Sequence, residues 1–447
     1  MTSTVREREP VFAAPTAERA AAPAAVAPVE ARPDALLYAI AAVVFTAVWR
    51  LQDLFPLLAP LRPTITSLGA ALVLFALNPR GRRSLSLLRS APLGLAIGLL
   101  VLLVIGAPVS IWPGGSIAFL ITDFIPSIML AVLIAAAVRS IRDLEFLMTA
   151  MLIAAAVFSV YILLTVQVES TGRLGRLRYY DVNDLALLLV SSMPIAVLLL
   201  RRGSGAVRGT LAIVCLAIFV VALVRSGSRG GFLAFLAVSA YMLLRYRALP
   251  ARVRGAAVIG GALLLLVAGG SRYWEMMQTI LHPKEDYNWA GNTYDGRMEL
   301  WKRGLSYVGE RPVLGLGAAA FPVAEGTISA TARQRRDLNL TTKWSVAHNA
   351  YIHIAAEAGL PGFIVFIAML TAAFRATARV GRRTRAALGD PRIVAAAQAL
   401  TGALLGYSIA QFFISAQYFG FLYVLIGLVA ALQKLQRLDV VGLAPAR

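Results

Sequence analysis

Apolar runs long enough to cross a bilayer recur from residue 35 to residue 436 of this chain, and a single long polar stretch, 271–347, interrupts them. A spanning helix needs roughly 20 mostly apolar residues. By that measure the sequence predicts about twelve transmembrane helices, centred near residues 45, 71, 100, 128, 155, 192, 217, 238, 262, 361, 402 and 426. With 59% hydrophobic and 15% charged residues, the composition excludes an ordinary soluble domain. The expected fold class is therefore all-α and polytopic. Residues 1–34 are rich in Ala, Pro, Glu and Arg without an apolar run, and read as a disordered tail rather than a signal peptide.

The net charge of +20 is not that of a nucleic-acid binder, because the basic residues fall in short connections on alternate sides of the apolar runs. Residues 79–90 carry four, 201–208 three, 245–254 four and 373–392 six, whereas the opposite connections at 57–63, 112–116 and 414–418 carry one, none and none. This pattern predicts cytoplasmic termini in the cytoplasmic (inner) membrane and a long loop on the periplasmic or exterior face. The expected organisation is a cytoplasmic tail (1–34), helices one to nine (35–270), the large loop (271–347), helices ten to twelve (348–436) and a second cytoplasmic tail (437–447).

Three outer segments oppose that bias. Residues 167–184 hold Arg173, Arg176 and Arg178, residues 225–230 hold Arg225 and Arg229, and the long loop holds ten basic residues. Positive charge placed on the outside against the insertion preference suits an anionic ligand on that face. Within the loop, Asp295 is expected to cap a short helix with Met298, Trp301, Leu305 and Val308 on one face and a Glu299–Arg303 pair. Arg333, Arg335 and Arg336 read as a solvated face, and His282 as loop surface. Cys215 is the single cysteine, so no intramolecular disulfide can form.

Four segments carry a family resemblance. They are Arg178-Tyr-Tyr-Asp-Val-Asn183-Asp-Leu-Ala, Arg225-Ser-Gly-Ser-Arg229-Gly-Gly, Gly296-Arg297-Met-Glu-Leu-Trp301, and His348-Asn349-Ala-Tyr351 continuing to Glu357-Ala-Gly359-Leu360. In that order, around a long loop late in a roughly twelve-helix chain, they resemble the O-antigen ligase superfamily. That superfamily also holds O-antigen and exopolysaccharide polymerases and bacterial protein O-oligosaccharyltransferases. The resemblance implies a GT-C-like fold and an inverting, metal-independent transfer of a glycan from undecaprenyl pyrophosphate. The acceptor is a hydroxyl on a glycolipid, glycan or protein, and no cofactor or nucleic acid is involved.

The chemistry requires stabilisation of a pyrophosphate leaving group, and guanidinium groups do this because they stay charged and bind phosphate oxygens bidentately. The family's motif arginines fall on Arg229 and Arg297. Arg225, Arg178, Asn183, Asn349 and Tyr351 are the expected substrate-binding residues. Arg225 and Arg229 also fit helix-end residues that extend their charge to the interface. His348 is the candidate general base, or the group that positions the acceptor hydroxyl. No acidic cluster of metal-ligand spacing stands on the outer face, since Asp181 and Asp184 read as caps of a helix starting near residue 184. His353 reads as packing, and Trp301 as structural or undecided. Glu357, on a predicted intramembrane helix, calls for a partner, and an arginine of another helix is the expectation. Pro361 between Gly359 and Gly362 predicts a kink or a close helix contact. The alternative from another class is a secondary transporter or flippase. Transporters usually carry internal repeats and midplane charges, whereas here the arginines cluster at the outer rim.

Overall fold

The computed structural model describes residues 32–49, 55–77, 83–169, 173–175, 181–201, 203–283, 286, 289 and 294–440. Most of the predicted N-terminal tail, the end of the C-terminal tail, Arg176 and Arg178 lie outside them. Among the described residues the protein is helical throughout, apart from one isolated bridge between Val168 and Leu174. Each of the twelve predicted centres falls within a helix. Nine helices among the described residues are long and apolar enough to cross a membrane; Ala35–Trp49, Val182–Leu198 and Arg229–Arg245 are shorter. The architecture is that of a polytopic membrane protein.

Gly420–Val440 is the central helix, with its apolar window almost wholly buried. It packs on Ile125–Ala137 and on the long Ala350–Ala386 helix, which in turn packs on Ala91–Gly106 and Pro391–Ala410. Ala251–Ala268 stands at the periphery, with only Leu265 buried. Without water to compensate, such a bundle is held by close packing of small side chains, and alanines 395, 396, 397, 399 and 403 of Pro391–Ala410 are all buried.

The long polar loop does not lie over the bundle but enters it. Gly359 breaks the Ala350–Ala386 helix with φ 67° and ψ −175°, which confirms the predicted kink. A break inside a membrane helix frees backbone groups that must be satisfied by protein. Here the loop segment around 312–321 satisfies them. Leu316 N–H donates to Ala356 C=O (2.8 Å), Gly317 N–H to Glu357 C=O (3.0 Å), and Leu360 N–H to Pro312 C=O (2.8 Å). The same segment is held from its other side by Ile111 N–H on Leu316 C=O (2.9 Å) and Ser116 Oγ on Ala318 C=O (2.7 Å).

Glu357 completes the join, and its partner differs from the expectation. Its carboxylate, fully buried, accepts the backbone N–H of Ala319 (3.1 Å) and of Phe321 (2.8 Å), and lies 3.0 Å from His353 Nε2. Among the described residues no arginine reaches it. Backbone donors satisfy a buried carboxylate as well as a guanidinium does, and the inserted loop presents two of them. His353, expected as packing, is a side-chain partner. A Gly359→Ala variant would place Cβ 2.5 Å from Val313 C=O at a left-handed φ. Loss of about 1–3 kcal/mol from the backbone conformation alone, plus that clash, should appear as a much lower melting temperature in detergent.

Candidate active site

Two consecutive helices meet at the Arg225-Ser-Gly-Ser-Arg229 turn. Ala206–Ser226 ends at Gly227, whose φ of 57° is left-handed and reverses the chain. Ser228 then caps Arg229–Arg245 by accepting Gly231 N–H (3.1 Å), which makes Arg229 the first residue of that helix. Arg229 ion-pairs with Asp286 and donates to Thr279 Oγ1 at 2.7 Å. The turn separates the two arginines that the sequence grouped. Arg225 closes the preceding helix with an exposed side chain, and its carbonyl accepts Leu174 N–H (2.8 Å). That bond seats the 167–175 connection on the helix end, where Arg173 Nε donates to Ser226 C=O (3.2 Å).

Arg297 is likewise the first residue of its helix, Arg297–Glu310. Gly296 is the N-cap and offers no side-chain acceptor, so the expected Asp295 cap does not form; Asp295 reaches Lys343 instead (3.4 Å). Glycine exposes the first N–H groups, and an uncapped helix N-terminus favours an anion. The buried face is Leu300, Gly304 and Tyr307 rather than Met298, Trp301, Leu305 and Val308. Gly304 lets Ile352 approach closely, which locks this helix onto the start of Ala350–Ala386. Arg303 turns away from Glu299 to a three-bond pairing with buried Glu325 (2.7–3.1 Å), and Glu299 takes Lys302 (2.6 Å).

The Arg297 guanidinium makes no hydrogen bond or ion pair among the described residues. Burial holds its proton affinity below the ordinary arginine value, and Arg229 and Arg173 push in the same direction against Asp181 and Asp286. Among the described residues, three guanidiniums against two carboxylates leave a net positive centre in which Arg297 is uncommitted. Such a centre suits a polyanion.

His348 stands beside it with φ 49°, in the left-handed region. Trp301 fixes the approach: its Nε1 donates to Ala347 C=O (2.9 Å), and its ring packs edge-on against Trp289 and Phe412. The imidazole is partly buried and makes no hydrogen bond among the described residues. Burial, then Arg297, push its pKa down to about 4, and Asp181 opposes them. The ring is therefore neutral at physiological pH, the form that can accept a proton. With only three histidines in the chain, NMR titration of ring-labelled protein in nanodiscs can follow it. His348 should protonate near pH 4 instead of 6.5, so the stabilisation its neutral form gives the fold is lost as pH falls from about 6.5 towards 4. Inorganic pyrophosphate should raise the midpoint by neutralising Arg297. An ordinary midpoint near 6.5 in the free protein would contradict this electrostatic picture.

The remaining expected residues have other tasks. Asn349 Oδ1 caps Ala350–Ala386 by accepting Tyr351 N–H (2.9 Å) and Ile352 N–H (3.2 Å), and Asn349 is 1% exposed. Tyr351 OH donates to Ser408 C=O (2.7 Å) and accepts from Gln411 Nε2 (3.1 Å). Both hold the frame that carries His348. Asn183 Nδ2 binds Asp181 Oδ1 (2.8 Å), and Asp181 with Asp184 forms the expected cap, on a helix that begins at Val182. Arg333 and Arg336 bind carbonyls at 328 and 327, and Arg335 binds the Thr341 carbonyl while lying over the Tyr294 ring (4.6 Å).

The sequence analysis passed over Arg173 and Asp286 as site residues. Arg173 was legible as a charge placed against the insertion bias; Asp286 had no signal.

The family model described as O-antigen ligase matches residues 211–367, a stretch holding Arg229, Arg297 and His348. No curated protein matches the chain. Residues 211–367 thus carry an O-antigen ligase domain, which supports the superfamily that the sequence motifs resemble.

Proposed function

We propose that this protein transfers a glycan from undecaprenyl pyrophosphate to an acceptor hydroxyl on the outer face of the cytoplasmic membrane. The observation that carries the reading is Arg297: a partly buried guanidinium, uncommitted among the described residues, on an uncapped helix N-terminus beside Arg229 and a neutral imidazole. An unpaired cation costs stability, and the pyrophosphate of the donor would supply its counter-charge.

In this reading Arg297 and Arg229 hold the pyrophosphate oxygens, with Arg173 adding charge. The acceptor oxygen attacks the anomeric carbon as its proton passes to His348. The glycosidic C–O bond breaks, and its electron pair leaves on the pyrophosphate, where the arginines stabilise it. One displacement inverts the anomeric centre. Phosphate charge beside Arg297 raises the proton affinity of His348 once the donor is in place, so the base strengthens when it is needed. The charge pattern of the connections supports cytoplasmic termini and an outward-facing site. A polymerase or protein O-oligosaccharyltransferase of the superfamily would share the donor site and differ in the acceptor.

The test is transfer in proteoliposomes from a lipid-pyrophosphate oligosaccharide to candidate glycolipid, glycan and peptide acceptors, in the presence of EDTA. Product of inverted anomeric configuration, lost in His348→Ala, is expected. Retention of configuration, or full activity in His348→Ala, would overturn the mechanism; transport of the lipid-linked glycan without transfer would overturn the function.

A further inference from the structure

A cavity of about 470 Å³ is lined by His353, whose charge acts on His348, and by none of the site arginines. Its volume falls within the roughly 300–1,000 Å³ of small-molecule sites. Asp184, Val346 and His353 form the wall nearest the active site, the first beside the Asp181 cap and the others flanking His348 in sequence. Apolar side chains of Ala35–Trp49, Pro63–Leu77 and Pro113–Ala137 form the far side, with aromatic rings at Phe119, Tyr418 and Phe421.

Some polar atoms of this wall are buried without a hydrogen-bond partner among the described residues. Glu357 only accepts, so a neutral His353 carries its proton on Nε2, and its bare Nδ1 is buried without a hydrogen bond. Ser415 Oγ and Gln417 Oε1 are buried and unpartnered in the same wall, with Gln417 2% exposed. Asp123 is more unusual still. It lies with an exposed side chain in a π-helical turn, Leu120–Phe124, within a largely apolar helix, and among the described residues the neighbouring Thr122 hydroxyl is the one that bonds its carboxylate. π-turns recur at functional sites. An ionisable group in a membrane helix is tolerated where it faces a polar cavity.

The wall thus offers hydrogen-bond acceptors and carboxylates, and among the described residues no lysine or arginine. That chemistry repels a pyrophosphate and suits a neutral donor of many hydrogen bonds attached to an apolar segment. We propose that this cavity is the acceptor pocket: it binds the neutral, hydroxyl-rich saccharide end of a lipid-anchored or alkyl-linked acceptor, with Asp123, Gln417 and His353 taking its hydroxyl protons. This inference rests on the transferase reading for its role, but the pocket's preference for a saccharide can be tested without turnover.

The probe is an octyl glucoside carrying a photoreactive diazirine, applied to full-length protein in proteoliposomes and mapped by mass spectrometry. A photoreactive octane serves as the control for apolar partition. Glucoside labelling is expected at 119–130 and 415–421, undiminished by inorganic pyrophosphate or by Arg297→Ala. Asp123→Asn and Gln417→Leu, each checked for an unchanged melting temperature, should cut it about tenfold, the loss expected for hydrogen bonds involving a charged or buried group. Labelling no better than with octane, indifference to both variants, or displacement by pyrophosphate would overturn the pocket. If glucoside labelling behaves as expected but the protein transfers no glycan, the function falls and the saccharide site stands. If transfer occurs without specific labelling, the pocket falls and the function stands.

Discussion

Replacing Arg297 with methionine should reduce glycan transfer by about 10²–10³-fold, the scale for removing one group aimed at developing charge, while raising the melting temperature of the ligand-free protein. The two effects share one cause. The guanidinium is largely enclosed, unpaired among the described residues, and repelled by Arg229 and Arg173. An apolar side chain of similar length removes a buried cation without leaving a counter-ion unpaired. Arg229→Met should behave differently, because it removes the ion pair with buried Asp286 and the bond donated to the Thr279 hydroxyl. It should lose both activity and stability. Lysine at 297 should restore only part of the transfer, since a point charge cannot bind two oxygens in parallel. Differential scanning fluorimetry alongside transfer assays separates these cases; a destabilised Arg297→Met would mean that the residue serves the fold.

The second large effect belongs to Glu357. One carboxylate satisfies Ala319 N–H, Phe321 N–H and His353, and so joins the inserted loop to the broken helix. Glu357→Ala leaves all three without an acceptor, at a cost of about 3–5 kcal/mol for breaking a buried pair. Glu357→Gln should be nearly as damaging. Its single amide oxygen can serve one side of the junction, and its NH₂ would then face a backbone N–H on the other. Expression with loss of a monodisperse elution peak in both variants is the expected result. A stable, active Glu357→Gln protein would show that the loop is held by its other contacts alone.

How much of this was legible in the sequence depended on which kind of group did the work. Each centre read from apolar length falls within a helix, nine of them long and apolar enough to span among the described residues, and the Ser-Gly-Ser turn, the Asp181–Asp184 cap and the Gly359 break carry local signatures that the chain obeys. Arg229, Arg297 and His348 were visible through the motifs that carry the family resemblance, and Arg229 also as a charge placed against the insertion bias. Partners were not legible. Glu357 meets backbone N–H groups nearly forty residues away, and a peptide N–H looks the same in every sequence. Asn349 and Tyr351 were expected at substrate because they flank His348, but adjacency in a helix cap makes a structural role equally natural. Asp295 failed as a cap because Gly296 lies one residue nearer the helix. Asp123 stayed hidden because a π-turn has no sequence mark, although a lone carboxylate in an apolar run was a clue.

The central claim is that Arg297 and its neighbours form the pyrophosphate site of the donor. Equilibrium binding of undecaprenyl pyrophosphate to the purified protein in nanodiscs, with undecaprenyl monophosphate as the comparison, tests it most directly. The account predicts tighter binding of the pyrophosphate than of the monophosphate, weakening with salt, and a loss of about tenfold or more in Arg297→Met, as for a charge-assisted contact. Equal binding of both lipids, unchanged by Arg297→Met, would contradict it.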